Sequence, residues 1–285
     1  MKIKKIISGL LIGTLLSVGL LGCGTSASRS DSGNKTVKIG VVGSVYDDIW
    51  APAKEKLKNE GIDLQIQQFS DYATPNNALN NGEIDLNAFQ HQIYLDQDVA
   101  SNNYKVETIA YTFIIPLNVY SNKVKAISEI KDGDTIAIPN DVTNGGRALK
   151  VLESAGLIEL DDKASFSPTV DDIKNYKVKV EIKQLAANTI PSALNDVTAA
   201  VVNGNYALDF GLKTEEAIYK DTSLNEEKYW NLIAAKSSNL NDESKVELYK
   251  KVIEAFQSSE TKKVFDDDFG GYFISVGWDK HLLDK

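Results

Sequence analysis

The sequence predicts an α/β protein built as two lobes that two crossing strands connect. Short β-type runs alternate with helical stretches from residue 36 to residue 265, which is the pattern of α/β architecture. A similar α/β block begins again after Pro116, a proline inside a long β-type run that a central strand would not tolerate. A late strand at 231–235 is free to return to the first block. These three observations favour two lobes over one sheet.

The first block opens with a β-rich run at 36–42, a helical stretch at 47–60, and a strand in which Ile62, Leu64 and Ile66 alternate with polar residues. Together they predict a βαβ unit with parallel strands and a right-handed crossover. The block continues with a short helix at 75–81, a short strand at 83–87, a longer helix at 89–102 and the β-type run at 106–120.

The second block has predicted strands at 135–138, 178–182 and 199–202, and a helix at 143–156 closed by a glycine. Helices at 242–256 and 258–265 follow the late strand. We therefore expect lobe 1 to hold residues 36–115 and 232–285, and lobe 2 to hold residues 116–231. Ligands of open α/β sheets bind beyond the carboxyl ends of strands, so the cleft between the lobes is the predicted site.

The first 22 residues have the layout of a secretory signal peptide. Three lysines precede an apolar stretch that is shorter than the roughly 20 residues a membrane-spanning helix needs. The stretch ends at Leu-Leu-Gly-Cys23, which resembles the bacterial lipobox. We expect residues 1–22 to be removed, Cys23 to carry lipid, and residues 23–35 to form a flexible tether at the extracytoplasmic face of the cell membrane. The alternative is a free cysteine that happens to end an apolar segment.

Composition narrows the classes of partner and chemistry. Removing residues 1–22 removes three lysines and no acid, which changes the formal net charge from −9 to −12. An acidic domain without a basic cluster argues against nucleic acid and anionic membrane surfaces as partners. With one cysteine, two histidines and no phosphate-loop motif, no disulfide, metal, cofactor or catalytic arrangement is predicted.

Five motifs resemble the methionine-binding lipoprotein family (MetQ/NlpA type), and the similarity covers essentially residues 1–280. The motifs are FSDYATPNNAL (69–79), GEIDLNAFQHQIYL (82–95), IPNDVTNGGRAL (138–149), AVVNGNYA (200–207) and YWNLI (229–233). The resemblance implies a two-lobe periplasmic-binding-protein-like fold of the type II kind. It also implies a lipid-anchored solute-binding protein, not an enzyme, that captures methionine, with L-methionine as the expected ligand, and delivers it to the permease of an ABC importer.

The resemblance also implies the ligand-binding residues. Four of them would wall the pocket for the ligand side chain in the first lobe, three would come from the second lobe, and one would lie near the second crossing strand. In that order they are Tyr72, Phe89, His91 and Tyr94; Asn144, Arg147 and Asn203; and Asn231.

The residue types suit a free apolar amino acid. The planar fork of Arg147 can donate two parallel hydrogen bonds to a carboxylate, and we expect this pair to form only when ligand is present, so that Arg147→Ala would leave folding little affected. Asparagine can accept from an ammonium group and donate to a carboxylate, and aromatic rings contact thioether sulfur favourably. Taken singly, the arginine could be a surface ion-pair partner, the asparagines turns or caps, and the rings core residues.

Other functions remain open at this stage. One is an enzyme built on the same two-lobe fold, and another is a surface adhesion protein. Within the binding class, the ligand could be D-methionine, a methionine-containing dipeptide or another small apolar amino acid.

Overall fold

The computed structural model describes residues 35–284, so the predicted signal peptide and Cys23 lie outside the described residues. Within that range the chain forms strands and helices in alternation, as predicted. The strands are β1 (Lys35–Val42), β2 (Ile62–Phe69), β3 (Leu86–Asn87), β4 (Val106–Tyr111), β5 (Phe113–Ile114), β6 (Leu117–Tyr120), β7 (Thr135–Pro139), β8 (Ile158–Leu160), β9 (Ile173–Tyr176), β10 (Glu181–Leu185), β11 (Ala199–Asn203), β12 (Leu232–Lys236) and β13 (Ile274–Ser275). The helices are α1 (Val45–Asn59), α2 (Pro75–Asn81), α3 (Gln92–Asn102), α4 (Val142–Ser154), α5 (Gly204–Asp209), α6 (Glu243–Phe256) and α7 (Ser259–Asp267).

The first sheet has five strands in the order β2-β1-β3-β12-β4. Strand β1 pairs in parallel with β2, its neighbour across α1, which confirms the predicted βαβ unit. The late strand β12 runs antiparallel to both β3 and β4, so the end of the chain does return to the first block. Helix α1 covers one face of this sheet because Ile49, Trp50 and Leu57 lie on its buried side, where the rings of α6 and α7 also pack.

The second sheet has four strands in the order β10-β7-β11-β6. Strands β10, β7 and β11 are parallel, and β6 runs antiparallel to β11. Its core is separate from that of the first sheet: Val119, Ile136 and Ile138 pack against Leu149 and Leu152 of α4. The predicted two-lobe α/β fold is therefore correct.

Two segments cross between the sheets, and they are hydrogen-bonded to each other. The β-type run predicted at 106–120 breaks at Pro116, after which β6 joins the second sheet. The chain returns just before β12, where the backbone N–H of Asn231 donates to the carbonyl oxygen of Phe113 (2.8 Å) and its carbonyl oxygen accepts from the N–H of Thr112 (2.9 Å). The two crossing segments are therefore joined to each other at Asn231.

Helix α3 begins three residues later than predicted. His91 has extended dihedrals (φ −91°, ψ 164°), and its side chain accepts a hydrogen bond from the N–H of Tyr94, so it caps the helix. Phe89 therefore lies before the helix and not on it. Strand β10 is also shifted, to Glu181–Leu185 from the predicted 178–182.

Helices of the described range are too short or too polar to cross a membrane. Within residues 35–284 no three His, Cys, Asp or Glu side chains are grouped so that they could hold a metal ion.

Candidate functional site

All eight residues that the motifs single out line one cavity. The cavity lies between the two sheets, with Phe89 and His91 following β3 on one side and Asn203 at the end of β11 on the other. The crossing segments close it, since Pro116 and Asn231 are also part of its wall.

A chain of neutral polar groups runs across the cavity. The His91 Nδ1 atom accepts from the N–H of Tyr94 (3.2 Å), so the proton belongs on Nε2, which lies 3.2 Å from the Asn144 side-chain oxygen. The same oxygen accepts from the side-chain amide of Asn203 (2.8 Å). Burial, and next the charge of Arg147, lower the pKa of His91 to about 3, so this histidine is neutral at physiological pH.

The orientation of Asn144 is set from behind by the residue that caps helix α4. The carboxylate of Asp141 accepts from the Asn144 side-chain amide at 3.0 and 3.1 Å and from its backbone N–H at 2.9 Å. These bonds hold the amide nitrogen against Asp141 and direct the Asn144 side-chain oxygen at His91 and Asn203. Helix start and site geometry are coupled at this residue.

Two asparagine side chains on the cavity wall have hydrogen-bonding groups that pair with no residue of the described range. The Asn203 side-chain oxygen is buried and has no hydrogen-bond partner among the described residues. The Asn231 side chain, only 5% exposed, makes no hydrogen bond to any residue in the range 35–284, although its main chain is fully engaged. Buried acceptors of this kind are stabilised when a donor reaches them, so they favour a ligand that carries N–H groups.

Arg147 is already paired within the protein, which argues against the expectation that its loss would leave folding little affected. Its Nη2 donates to the Asp221 carboxylate (2.5 Å) and to the carbonyl oxygen of Ile115 (3.0 Å), and its Nε donates to the Ser223 hydroxyl (3.3 Å). The ring of Tyr229 lies under the guanidinium, 4.4 Å from centroid to Cζ. Only Nη1 makes no hydrogen bond to the described residues, so the fork cannot give a ligand two new side-on bonds.

Asp221 was not singled out from the sequence, since nothing near it in the chain indicates a partner in α4. Its carboxylate also accepts from the backbone N–H of Leu117 (3.0 Å) and from the N–H and hydroxyl of Ser223 (2.8 and 2.6 Å). Burial alone would raise the pKa of Asp221, but the Arg147 charge and the hydrogen bonds from Ser223 and Leu117 hold it below its ordinary value. The side chain is an ionised, fully satisfied counter-ion.

Three aromatic rings form the apolar wall. The ring centroids of Tyr72, Phe89 and Tyr94 lie 6.0–6.1 Å from one another. Phe89 and Tyr94 meet because Phe89 lies on the extended segment before α3, whereas on one helix residues five apart would face different directions. The ring of Tyr206, also missed from the sequence, packs against that of Tyr72, with the ring centroids 4.9 Å apart and the planes tilted by 37°.

Hydrogen bonds join the two sides of the cavity directly. The Tyr72 hydroxyl donates to the Asn205 side-chain oxygen (2.5 Å), and the Asn205 amide donates to the carbonyl oxygen of Val42 (3.0 Å). Together with the His91–Asn144 contact, these hydrogen bonds hold the two sides of the cavity against each other.

The chain is similar to known proteins over most of its length. The NlpA lipoprotein family model matches residues 37–277. The D-methionine-binding lipoprotein MetQ of Escherichia coli (strain K12) is 35% identical over 274 residues, covering 95% of this chain and 96% of that protein.

Solved structures give the same picture. A nutrient binding protein from Burkholderia cenocepacia bound to methionine has 35% identity and a TM-score of 0.78, covering 84% of this chain and 99% of that one. The substrate binding protein of a methionine transporter from Streptococcus pneumoniae has 35% identity and a TM-score of 0.80, covering 85% and 95%.

Proposed function

The chain belongs to the NlpA lipoprotein family, and from that premise we propose that it captures methionine outside the cytoplasm and delivers it to an ABC importer. The relatives are named as methionine-binding lipoproteins and as binding proteins of transporters, which supports both the ligand and the partner. The proposed partner is the importer's permease.

The observation that carries the proposal is the pairing of chemistries in one buried cavity. The same space is surrounded by an aromatic wall, by one guanidinium nitrogen and by two amide side-chain oxygens, and these polar atoms have no hydrogen-bond partner among residues 35–284. An apolar amino acid needs all three, because burying its carboxylate or its ammonium group without a partner is costly.

Each cavity group has a proposed role. The ligand carboxylate binds beside Nη1 of Arg147, and the ammonium group donates to the side-chain oxygens of Asn203 and Asn231. The thioether lies among Tyr72, Phe89 and Tyr94, where a sulfur–aromatic contact contributes about 0.3–1.5 kcal/mol. The remaining two residues, His91 and Asn144, contact each other across the cleft and orient the wall.

The proposed lobes are residues 36–115 with 232–285, and residues 116–231. The division is supported by the sheets, since β1–β4 and β12 form one sheet and β6, β7, β10 and β11 the other. Closure of the lobes around ligand is the expected response of such a molecule, since contacts from both sides form only in the closed state.

The membrane anchor in this proposal is lipid on Cys23 at the extracytoplasmic face, after removal of residues 1–22. Family membership supports it, because the family is one of lipoproteins. In Cys23→Ala we expect an intact ligand site and loss of membrane attachment, measured by fractionation after a high-salt wash. Full retention of this variant in the membrane fraction would contradict the anchor.

Binding without turnover is also part of the proposal. A neutral histidine with a pKa of about 3 is a weak base at physiological pH, and Asp221 is consumed as a counter-ion. The related transport proteins support this, since they are named for what they bind.

The test is to identify what the purified protein carries. Small molecules released on denaturation are analysed by mass spectrometry with chiral separation, and the refolded, stripped protein is titrated with L-methionine, D-methionine, a methionine dipeptide and leucine. We expect methionine to be released and to bind more tightly than leucine. Release of a dipeptide with no affinity for free methionine would favour the dipeptide alternative, and binding of none of the four would overturn the proposal.

A further inference from the structure

We infer that Asp221 determines the charge of the ligand, so that the cavity accepts a zwitterion and rejects a carboxylate that lacks an ammonium group. The inference rests on the proposed function, because it concerns the ligand of the same cavity. It adds a specificity-determining residue that touches the ligand only through Arg147.

The first step is that the cavity's cation is neutralised before ligand arrives. The side chains of Arg147 and Asp221 are 3% and 1% exposed, and they form an ion pair at 2.5 Å. Solvent screening is weak at such burial, so the carboxylate cancels most of the field that the guanidinium would exert on a ligand. Asp221 is fixed in place by Leu117 and Ser223, so it cannot turn away when ligand enters.

The second step is that no other positive charge replaces it. No lysine lines the cavity within the described part of the chain. His91 is neutral, and Asn144, Asn203, Asn205 and Asn231 carry no charge. The carboxylate of Asp141 lies behind Asn144 and adds negative charge, not positive. The summed charge around the ligand is therefore zero or negative.

The third step is the cost of each ligand form. A lone carboxylate would enter a low-dielectric space that offers hydrogen bonds but no uncompensated cation. A zwitterion brings its own cation, and that cation reaches the buried Asn203 oxygen that has no partner among the described residues. A ligand without the ammonium group leaves this acceptor unpaired, and sites built for such a hydrogen bond reject the analogue that lacks it strongly.

The experiment compares methionine with 4-(methylthio)butanoate, in which hydrogen replaces the ammonium group. Both are titrated calorimetrically into stripped wild-type protein and into Asp221→Asn, which keeps the shape and an oxygen acceptor for Arg147. In the wild type we expect methionine to bind at least about a hundredfold more tightly. In Asp221→Asn the guanidinium charge is no longer cancelled, so we expect the preference for methionine to fall at least about tenfold.

The ratio of the two affinities separates charge selection from a structural role. A variant that is merely loosened would lose affinity for both ligands in parallel, and an unchanged ratio would overturn the inference. Asp266→Asn is the control, since it removes an exposed acid outside the cavity wall, and its ratio should equal that of the wild type. Should Asp221→Asn fail to fold, the wild-type comparison still decides: comparable affinities for the two ligands would overturn the inference. Wild-type protein that bound no methionine would instead contradict the proposed function.

Discussion

The carboxylate of Asp209 caps the N-terminus of helix α1 through Ser44, although the two residues are 165 positions apart. It accepts from the Ser44 hydroxyl (2.8 Å) and backbone N–H (3.1 Å), and from the N–H of Val45 (2.9 Å). A helix N-terminus favours a carboxylate because its N–H groups are unpaired and carry partial positive charge. Gly43, at φ +99°, leaves the space, since a Cβ there would collide with the Asp209 carboxylate. On the proposed division, Asp209 and Ser44 belong to different lobes.

This contact predicts that Asp209 stabilises the closed state. In Asp209→Ala we expect methionine to dissociate faster and to bind more weakly by about 0.5–2 kcal/mol, the usual loss for a helix cap. Stopped-flow dissociation and calorimetry measure both quantities. Asp266→Ala is the control, because Asp266 is exposed and makes no hydrogen bond within residues 35–284. Equal dissociation rates in Asp209→Ala and in the wild type would show that Asp209 does not stabilise the closed state.

Arg147 has a dual role, so its removal should be felt twice. Arg147→Ala leaves the Asp221 carboxylate buried without its cation, which typically costs about 3–5 kcal/mol of stability. We expect a large fall in the free energy of unfolding together with a loss of methionine affinity, measured by denaturant titration and calorimetry. Arg147→Lys should recover only part of each, since an ammonium group cannot reach Asp221, Ile115 and Ser223 at once.

The control for Arg147 is Lys174→Ala. Lys174 lies 3.5 Å from Glu159, with a side chain 52% exposed, so its loss should cost at most about 1 kcal/mol. If Arg147→Ala were as stable as Lys174→Ala, the ion pair with Asp221 would not contribute as described.

We expect the Tyr72 hydroxyl to contribute to closure of the lobes separately from the Tyr72 ring. Tyr72→Phe keeps the ring in the aromatic wall but leaves the Asn205 side-chain oxygen without its donor, which costs about 1–3 kcal/mol for a buried acceptor. We expect weaker methionine binding with little change in stability of the unliganded protein, whereas Tyr72→Ala should weaken binding further. Identical affinities for Tyr72→Phe and the wild type would show that the ring alone matters.

His91 predicts an acid-sensitive component of stability. Its pKa is lowered to about 3 in the folded state from 6.5 when unfolded, so below pH 6.5 the unfolded state binds a proton that the folded state does not. Stability should therefore fall by about 1.4 kcal/mol per pH unit between about pH 6 and pH 3. His91→Gln should show a flatter profile than the wild type in denaturant titrations across this window. Parallel profiles for His91→Gln and the wild type would contradict the buried neutral histidine.

Much of the fold followed from local patterns in the sequence. The alternation of strands and helices, the break at Pro116 and the returning strand at 231–235 are properties of short segments, and each confirmed prediction rests on one of them. The start of α3 was wrong because its cap is His91, and histidine is not among the residues that usually cap helices.

The residues of the site also fall into two groups, those that the sequence indicates and those that only the folded chain brings together. The eight predicted residues came from motif resemblance, because taken singly an asparagine such as Asn203 is read as a turn or a cap. Asp221 and Asn205 could not be predicted, since their importance lies in contacts with Arg147 and Tyr72 that only the folded chain creates. Physical reasoning on one residue at a time identifies what a group can bind, and the packed structure determines what it already binds.

The meeting point of the two crossing segments gives the cavity a mechanical property. The main chain of Asn231 is hydrogen-bonded to Thr112 and Phe113 of the other crossing segment, and Asn231 is part of the cavity wall. On the proposed division into lobes, the hinge and the ligand site would therefore share Asn231. A rotation about such a hinge moves each atom in proportion to its distance from the hinge, so the outermost surfaces of the lobes would move farthest. Binding of a ligand in the buried cavity would thereby change the positions of the outer surfaces of the lobes, which are accessible to another protein.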